Sequence, residues 1–232
     1  MENKLVVVTG VSSGIGLATA QAALDNGAIV VGWGRRQGPI DHENYFFTEV
    51  DVRDQAAVAR AHQETITRAG KPVSVLINNA GLGKQGILEE QSLEDWHLMF
   101  DTNVHGLYYC TRAVLPGMKE QEAGHIVNIS SIAGLMGSET LAGYCATKFA
   151  VRGMSQALFK EVRDFGIKVT CIYPGSVNTG FFTDFDNKTA PENMMQPTDI
   201  ASTIMHVLQS SPNYHHVDIE VRPLMPKGKR KG

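Results

Sequence analysis

Tyr144 and Lys148 stand four residues apart, a spacing that places both on one face of a helix, one turn from each other. A tyrosine hydroxyl titrates near pKa ~10 in water, and an ammonium beside it favours the phenolate. Such a pair can give or take a proton near neutrality, which is general acid–base chemistry. The Y-x-x-x-K spacing also arises by chance, so its meaning depends on what surrounds it. Upstream, the apolar run His125–Ile129 ends in Ser130 and Ser131, two hydroxyls placed at a strand terminus.

A second constellation points to an anionic ligand. The turn Thr9-Gly10-Val11-Ser12-Ser13-Gly14-Ile15-Gly16 follows the apolar run Leu5–Val8 and opens a helical stretch. Glycines let the backbone turn sharply and approach a pyrophosphate, while the helix start offers free N–H groups and the positive end of its dipole. Its spacing is G-x-x-x-G-x-G rather than the commoner G-x-G-x-x-G. The next run ends Gly32-Trp33-Gly34-Arg35-Arg36. A dinucleotide fold selecting NAD usually offers a carboxylate here to the ribose diol. This chain offers guanidinium groups, which suit a 2′-phosphate; two solvated surface arginines are the alternative. Asn78-Asn79-Ala80-Gly81, after another apolar run, is a turn signal where sheets of this kind bind ligands.

The elements that must position these residues alternate in type. Leu5–Val8, Ile29–Val31, Phe46–Val50, Val73–Ile77, His125–Ile129, Val169–Ile172 and Val217–Val221 are strand candidates, several almost wholly apolar as in parallel strands covered on both faces. Helical patterns lie between them; Trp96, Phe100, Asn103, Leu107 and Val114 share one face at helical spacing. The alternation predicts an α/β fold, a Rossmann-like doubly wound parallel sheet flanked by helices on both faces, in one domain over residues 1–232. Two stretches break the rhythm. The link Gly34–Tyr45 contains Gly38 and Pro39, against a full crossover helix. Residues Gly180–Gln196 show no period, as in lids and binding loops.

Composition narrows the class. The 232 residues are 43% hydrophobic and 19% charged, enough apolar material for a sizeable core. A net charge of −3 gives no reason to expect nucleic acid or an anionic membrane as partner. No apolar stretch reaches the length of a signal-peptide core or a membrane span. Cys110, Cys145 and Cys171 lack metal-type spacing and read as free thiols, so the expected compartment is the cytoplasm. No metal site is expected.

Taken in order along the chain, these motifs resemble the short-chain dehydrogenase/reductase family over essentially the whole length: T-G-x-x-x-G-I-G, N-N-A-G, the strand ending in Ser131, Y-x-x-x-K and the late Pro174-Gly175. The resemblance implies roles. Tyr144 is the acid/base, Ser131 polarises the carbonyl, and Lys148 lowers the tyrosine pKa and holds the nicotinamide ribose. Ser131 is preferred to Ser130 because the family serine lies thirteen positions before the tyrosine, as Ser131 does here. Asn103 matches the asparagine of a water-linked proton relay; a satisfied buried amide is its alternative. Gly10, Ser12, Ser13, Gly14, Ile15 and Gly16 hold the pyrophosphate, with Asn79, Ala80 and Gly81 beside them. Asp51 and Val52 match the adenine-contacting pair, while Pro174, Gly175, Val177 and Thr179 match the segment around the nicotinamide amide. Arg35 and Arg36 favour NADP(H) over NAD(H); because Ser13 stands where NADP(H) members often carry a basic residue, that preference rests mainly on Arg35. Residues 1–102 would mainly bind the dinucleotide and 103–196 carry the catalytic and substrate-binding groups, with a basic tail over 227–232. A homodimer or homotetramer, built through the helices carrying Asn103 and Tyr144, is also implied.

The implied reaction is hydride exchange between NADP(H) and a small to medium carbonyl or alcohol. The substrate pocket is expected between Ile132 and Gly143 and under the 180–196 loop, with Met136, Phe181, Phe182, Phe185, Met194 and Met195 as candidate lining. A 3-oxoacyl-carrier-protein reductase is the runner-up. It is disfavoured by Glu120 and Glu122 before the fifth strand, by Asp184, Asp186 and Glu192 against one Lys188 in the loop, and by an ending Val217–Pro223 without V-D-G-G. A non-enzymatic regulator on the same fold typically lacks the tyrosine or lysine, and both are present. A serine hydrolase would need its G-x-S-x-G elbow.

Overall fold

The structure is a computed structural model, and it describes residues 1–181 and 194–225. Phe182, Asp184, Phe185, Asp186, Lys188, Glu192 and the basic tail Lys227–Gly232 lie outside the described residues.

Leu5–Thr9 forms β1, buried at every position. With β2 (Ile29–Gly34), β3 (Tyr45–Glu49), β4 (Val75–Asn78), β5 (Gly124–Ile129), β6 (Ile167–Pro174) and β7 (Asp218–Val221), it makes a seven-stranded sheet in the order β3-β2-β1-β4-β5-β6-β7. Every pairing is parallel. This is the doubly wound arrangement expected from the sequence, and each predicted strand is present. β-branched residues dominate the central strands because a sheet covered on both faces needs apolar side chains on both.

The helices are α1 (Gly14–Asp25), α2 (Gln55–Ala69), α3 (Leu93–Phe100), α4 (Leu107–Glu120), α5 (Ala142–Val162) and α6 (Pro197–Leu208). On one face Ala20 and Ala23 of α1 and Ile200 and Ile204 of α6 pack on Val6, Val8 and Ile77. On the other, Val58 of α2 and Val114 and Met118 of α4 pack on Leu5, Val7, Leu76 and Ile126. Fully burying each such valine, leucine, isoleucine or methionine contributes roughly 1.5–3 kcal/mol, so these two layers fix the sheet that carries the loops. Local signals set the helix starts. Asp54 caps α2 by accepting from Ala57 N–H, and Ser92 caps α3 by accepting from Asp95 N–H.

Between β2 and β3 the described chain forms no helix, as Gly38 and Pro39 imply. The long amphipathic stretch departs from expectation. Trp96–Val114 is not one α-helix: α3 gives way to a π-helical turn, Asp101–Gly106, before α4 begins. The extra residue per turn rotates Asn103 relative to the flanking helices, and such π segments frequently occur at functional sites. Among the described residues, no helix is long and apolar enough to cross a membrane.

Candidate active site

The strand order reverses between β1 and β4, and a cavity of about 650 Å³ opens there beyond the carboxyl ends of the strands. Its floor is the glycine turn. Gly10, Ser12, Ser13, Gly14 and Ile15 line it, and Ser13 stands as N-cap of α1 with no capping bond from its own side chain. Gly14 has φ +59, and a Cβ there would come within 3.2 Å of Thr179 across the cleft. Gly16 plays another part. It does not line the cavity, and a Cβ on it would lie 2.2 Å from the Gly10 carbonyl oxygen and 2.4 Å from Asn79 Nδ2. The absence of a side chain at Gly16 is therefore what lets the turn close against Asn79.

Asn79 locks the same turn. Its Nδ2 donates to the carbonyls of Thr9 (2.9 Å) and Gly10 (3.1 Å), while the Thr9 hydroxyl accepts from the N–H groups of Asn79 and Ala80, each at 2.9 Å. Asn79, Ala80 and Gly81 all face the cavity. So do Pro174, Gly175, Val177 and Thr179 on the opposite rim. That rim is held by Gly175 N–H to Val221 O (2.8 Å) and by a bridge between Val177 and Met195.

One end of the cavity is cationic. Arg35 and Arg36 line it together with Asp51 and Val52. Arg53, which the sequence reading passed over, lines it too and grips Asp51 through Nε and Nη2 at 2.5–3.0 Å. This hydrogen-bonded pair, helped by the nearby charge of Arg35, holds the Asp51 carboxyl below its ordinary range. The carboxylate at this end is thus already matched by a guanidinium, leaving Arg35 and Arg36 as the cations beside Gly34. An Asp-x-Arg spacing was the available signal, since a side chain two residues on can fold back onto its partner.

The other end gathers Ser131, Tyr144 and Lys148. β5 delivers Ser131, and α5 presents Tyr144 and Lys148 on one face, with Lys148 Nζ 5.7 Å from the centre of the Tyr144 ring. Both side chains are buried yet line the cavity. Burial pushes the Tyr144 phenol up to about 12, and a hydrogen bond with the Ser131 side chain works against that rise. Burial also lowers the Lys148 ammonium to about 8. One of its three N–H donors is engaged by Ile129 O at 2.9 Å. Ser131 thus offsets part of the cost of burying Tyr144, and Lys148 carries a desolvation cost of its own.

Asn103 sits just behind this end. Its Nδ2 donates to Leu82 O (2.8 Å) and to Thr147 Oγ1 (3.0 Å), and its Oδ1 accepts from Leu82 N–H (2.9 Å). It does not line the cavity; here it is a satisfied buried amide that ties the loop after β4 to α5. The apolar wall beside Tyr144 comprises Met99, Ala133, Cys145, Leu82, Leu141 and Phe181, whose ring lies 5.5 Å from that of Tyr144. Of the expected lining residues, Phe181 is in place. Met136 instead turns outward, 50% exposed, against Arg222. Met195 packs on the core, and Met194 does not line the cavity. Thr140, within the expected 132–143 span, and Gln85, outside it, also line the cavity. Thr140 holds φ +63, a conformation that costs a β-branched residue of order 1–3 kcal/mol.

With this geometry in view, comparison with known proteins is informative. The family model described as short chain dehydrogenase matches residues 4–190. A protein of Bacteroides thetaiotaomicron named 3-ketodihydrosphingosine reductase is 39% identical over 209 residues, covering 90% of this chain and 76% of that one. A solved serine dehydrogenase complexed with NADP+ superposes with a TM-score of 0.87 at 31% identity, covering 98% and 97% of the two chains. A 3-ketoacyl-(acyl-carrier-protein) reductase from Brucella melitensis complexed with NADH gives 0.88 at 27% identity, covering 96% and 98%.

Proposed function

The chain belongs to the short-chain dehydrogenase family, and on that premise we propose that it is an NADP(H)-dependent reductase of a free, small to medium-sized carbonyl compound with Tyr144 as proton donor. The observation that carries the reading is a single cavity with Ser131, Tyr144 and Lys148 at one end and Arg35 and Arg36 at the other. The residues fit the cofactor. The glycine turn leaves backbone room for a pyrophosphate, and Asp51, the carboxylate lining this end, is held by Arg53. The bound dinucleotide would supply or accept hydride at its nicotinamide.

This chain's residues then handle the proton and the geometry. Ser131 and the Tyr144 hydroxyl would hydrogen-bond the substrate carbonyl oxygen, polarising it. As the carbon gains hydride, the oxygen takes the phenolic proton, giving alcohol and a phenolate. A phenol held near 12 stays protonated through the neutral range, which suits reduction. Lys148, charged below about 8, would hold the ribose and stabilise the phenolate. Asn103 would act by fixing Leu82 and α5. Phe181 and the apolar wall support an uncharged substrate. The Bacteroides relative is named as a reductase of a keto compound, which supports carbonyl reduction without bearing out the size or charge proposed here. A carrier-protein substrate remains the runner-up, since a structural neighbour acts on one.

Assembly belongs to the same proposal. An apolar groove of about 530 Å³ between α4 and α5, with Leu107, Tyr108, Leu115, Met154 and Leu158 along it, supports pairing of two copies through these helices. Light scattering that finds only monomer at micromolar concentration contradicts the pairing. The cytoplasm is the compartment proposed.

The test of function is a panel of aldehydes, ketones and diketones assayed with NADPH and NADH beside acetoacetyl carrier protein. The reading expects kcat/KM with NADPH to exceed that with NADH by at least about tenfold, roughly 1.4 kcal/mol, and free carbonyls to outperform the carrier-bound thioester. Equal use of both cofactors removes the NADP(H) preference, and a clear advantage for the thioester promotes the runner-up.

A further inference from the structure

We propose that Thr140 and Gln85 form a latch that fixes the substrate-side wall of the cavity to the segment leading into the Tyr144 helix, and so sets where a substrate carbonyl sits relative to the Tyr144 hydroxyl. The inference rests on the reductase reading above and adds two positioning residues to it.

Thr140 is the residue whose backbone most needs explaining. Its φ of +63 lies in the left-handed region, where a β-branched side chain is a genuine outlier. The other described non-glycine residues with positive φ, Asn3 and Glu122, occupy turns just before β1 and β5, at the end of the sheet away from the cavity. Thr140 stands four residues before Tyr144 and lines the cavity. Strain at such a place persists only when surrounding contacts over-determine it.

Those contacts run to one loop. Thr140 Oγ1 accepts from Gln85 Nε2 at 2.9 Å, and Thr140 O accepts from Gly86 N–H at 2.9 Å. The left-handed twist is what turns both the side chain and the carbonyl of one residue toward the strand-free segment after β4. Helix α5 receives no side-chain cap at Leu141, so its entry is anchored by this cross-loop pair instead. A second clamp lies deeper, where Asn103 binds Leu82 through both backbone groups and also Thr147. The loop 82–86 is therefore held at both its ends, by Thr140 before Tyr144 and by Thr147, through Asn103, after it. With the inner clamp alone, the outer half of the wall could swing away from the phenol. A small displacement of a bound carbonyl costs rate steeply, because reaction requires a near-attack geometry.

Three variants test the latch: Thr140→Val keeps the β-branched shape without the hydroxyl, Gln85→Met keeps length without the amide, and Thr140→Ser keeps the hydroxyl. In the cofactor-free protein, amide hydrogen exchange at Gly86 should quicken by about fivefold in T140V and Q85M, the scale of one lost hydrogen bond. With a carbonyl substrate and NADPH, each should lower kcat/KM for the carbonyl by about the same factor, mainly through kcat, with NADPH affinity within about twofold of wild type. The double variant should be no worse than either single one, because both changes break one contact, and T140S should stay near wild type. Unchanged Gly86 exchange, additive losses in the double variant, or T140S as impaired as T140V would each overturn the latch. Faster exchange with unaltered carbonyl kinetics overturns the positioning role. If the wild type reduced no carbonyl at all, the reductase reading would fail by itself, and exchange at Gly86 would still decide whether the latch exists.

Discussion

Opposite ends of the same sheet each bury a basic group, and they do so to different ends. At the carboxyl end Lys148 is buried and its ammonium lowered to about 8. At the amino end of β5, His125 is buried and its imidazolium lowered to about 3. The first cause is the same, loss of water around the charged form. The surroundings differ. Lys148 faces a cavity shared with Tyr144 and Ser131. His125 is packed against His215, with ring centres 6.0 Å apart, and its Nε2 meets Thr170 Oγ1 at 2.9 Å, while that hydroxyl bonds His216 O at 2.6 Å. A displaced pKa thus marks burial; what marks chemistry is several such groups converging on space a ligand can enter.

Substitution at the two ends should separate them most sharply. Tyr144→Phe should keep NADPH affinity within a few-fold yet lower kcat for carbonyl reduction by roughly a thousandfold, as expected if Tyr144 is the proton donor proposed. His125→Leu should leave kcat/KM within about twofold, as expected of a site without contact to reactants. A correctly folded Y144F with near-normal turnover, or an inactive H125L that still folds and binds NADPH, would dissolve the contrast.

The amino end should instead show itself in acid stability. The folded His125 value of about 3 lies below the unfolded one near 6.5, so between those values the unfolded chain binds more protons. Stability present above pH ~6.5 is therefore lost as pH falls, by about 2 kcal/mol at pH ~5 from this residue alone. His62 and His215, also lowered by burial, act in the same direction. Denaturant unfolding at neutral and mildly acid pH checks this, and H125L should flatten the dependence.

Smaller effects refine the carboxyl end. Arg35→Ala should cut NADPH preference by about tenfold, and adding Gly34→Asp should move it toward NADH. Above about 8, where the Lys148 ammonium is lost, kcat/KM for reduction should fall by up to about tenfold per pH unit. A rate flat to pH ~10 would contradict the role given to that charge.

The same two ends differ in how much the sequence disclosed. Period and apolar runs located the strands, because burial on both faces leaves a direct composition signal. Tyr144, Lys148 and the glycine turn were legible because their partners lie within one helical turn or one short loop. Gln85 and Thr140 were not, since 55 residues separate them and only the topology brings them together. The π-helical turn at Asn103 has no pattern in residue type, and it broke a face that looked continuous from Trp96 to Val114. Arg53 folds back on Asp51 across two residues, a contact that spacing permits without requiring.

The central claim is that hydride from NADPH reaches a carbonyl carbon while Tyr144 protonates the oxygen. It is tested most directly with NADPH deuterated at the transferring nicotinamide position, a carbonyl from the panel, and mass spectrometry of the product. Wild-type protein should yield alcohol carrying one deuterium on the former carbonyl carbon, and Tyr144→Phe, binding the same cofactor, should yield almost none. Unlabelled alcohol, or equal labelled product from the two proteins, would contradict the account.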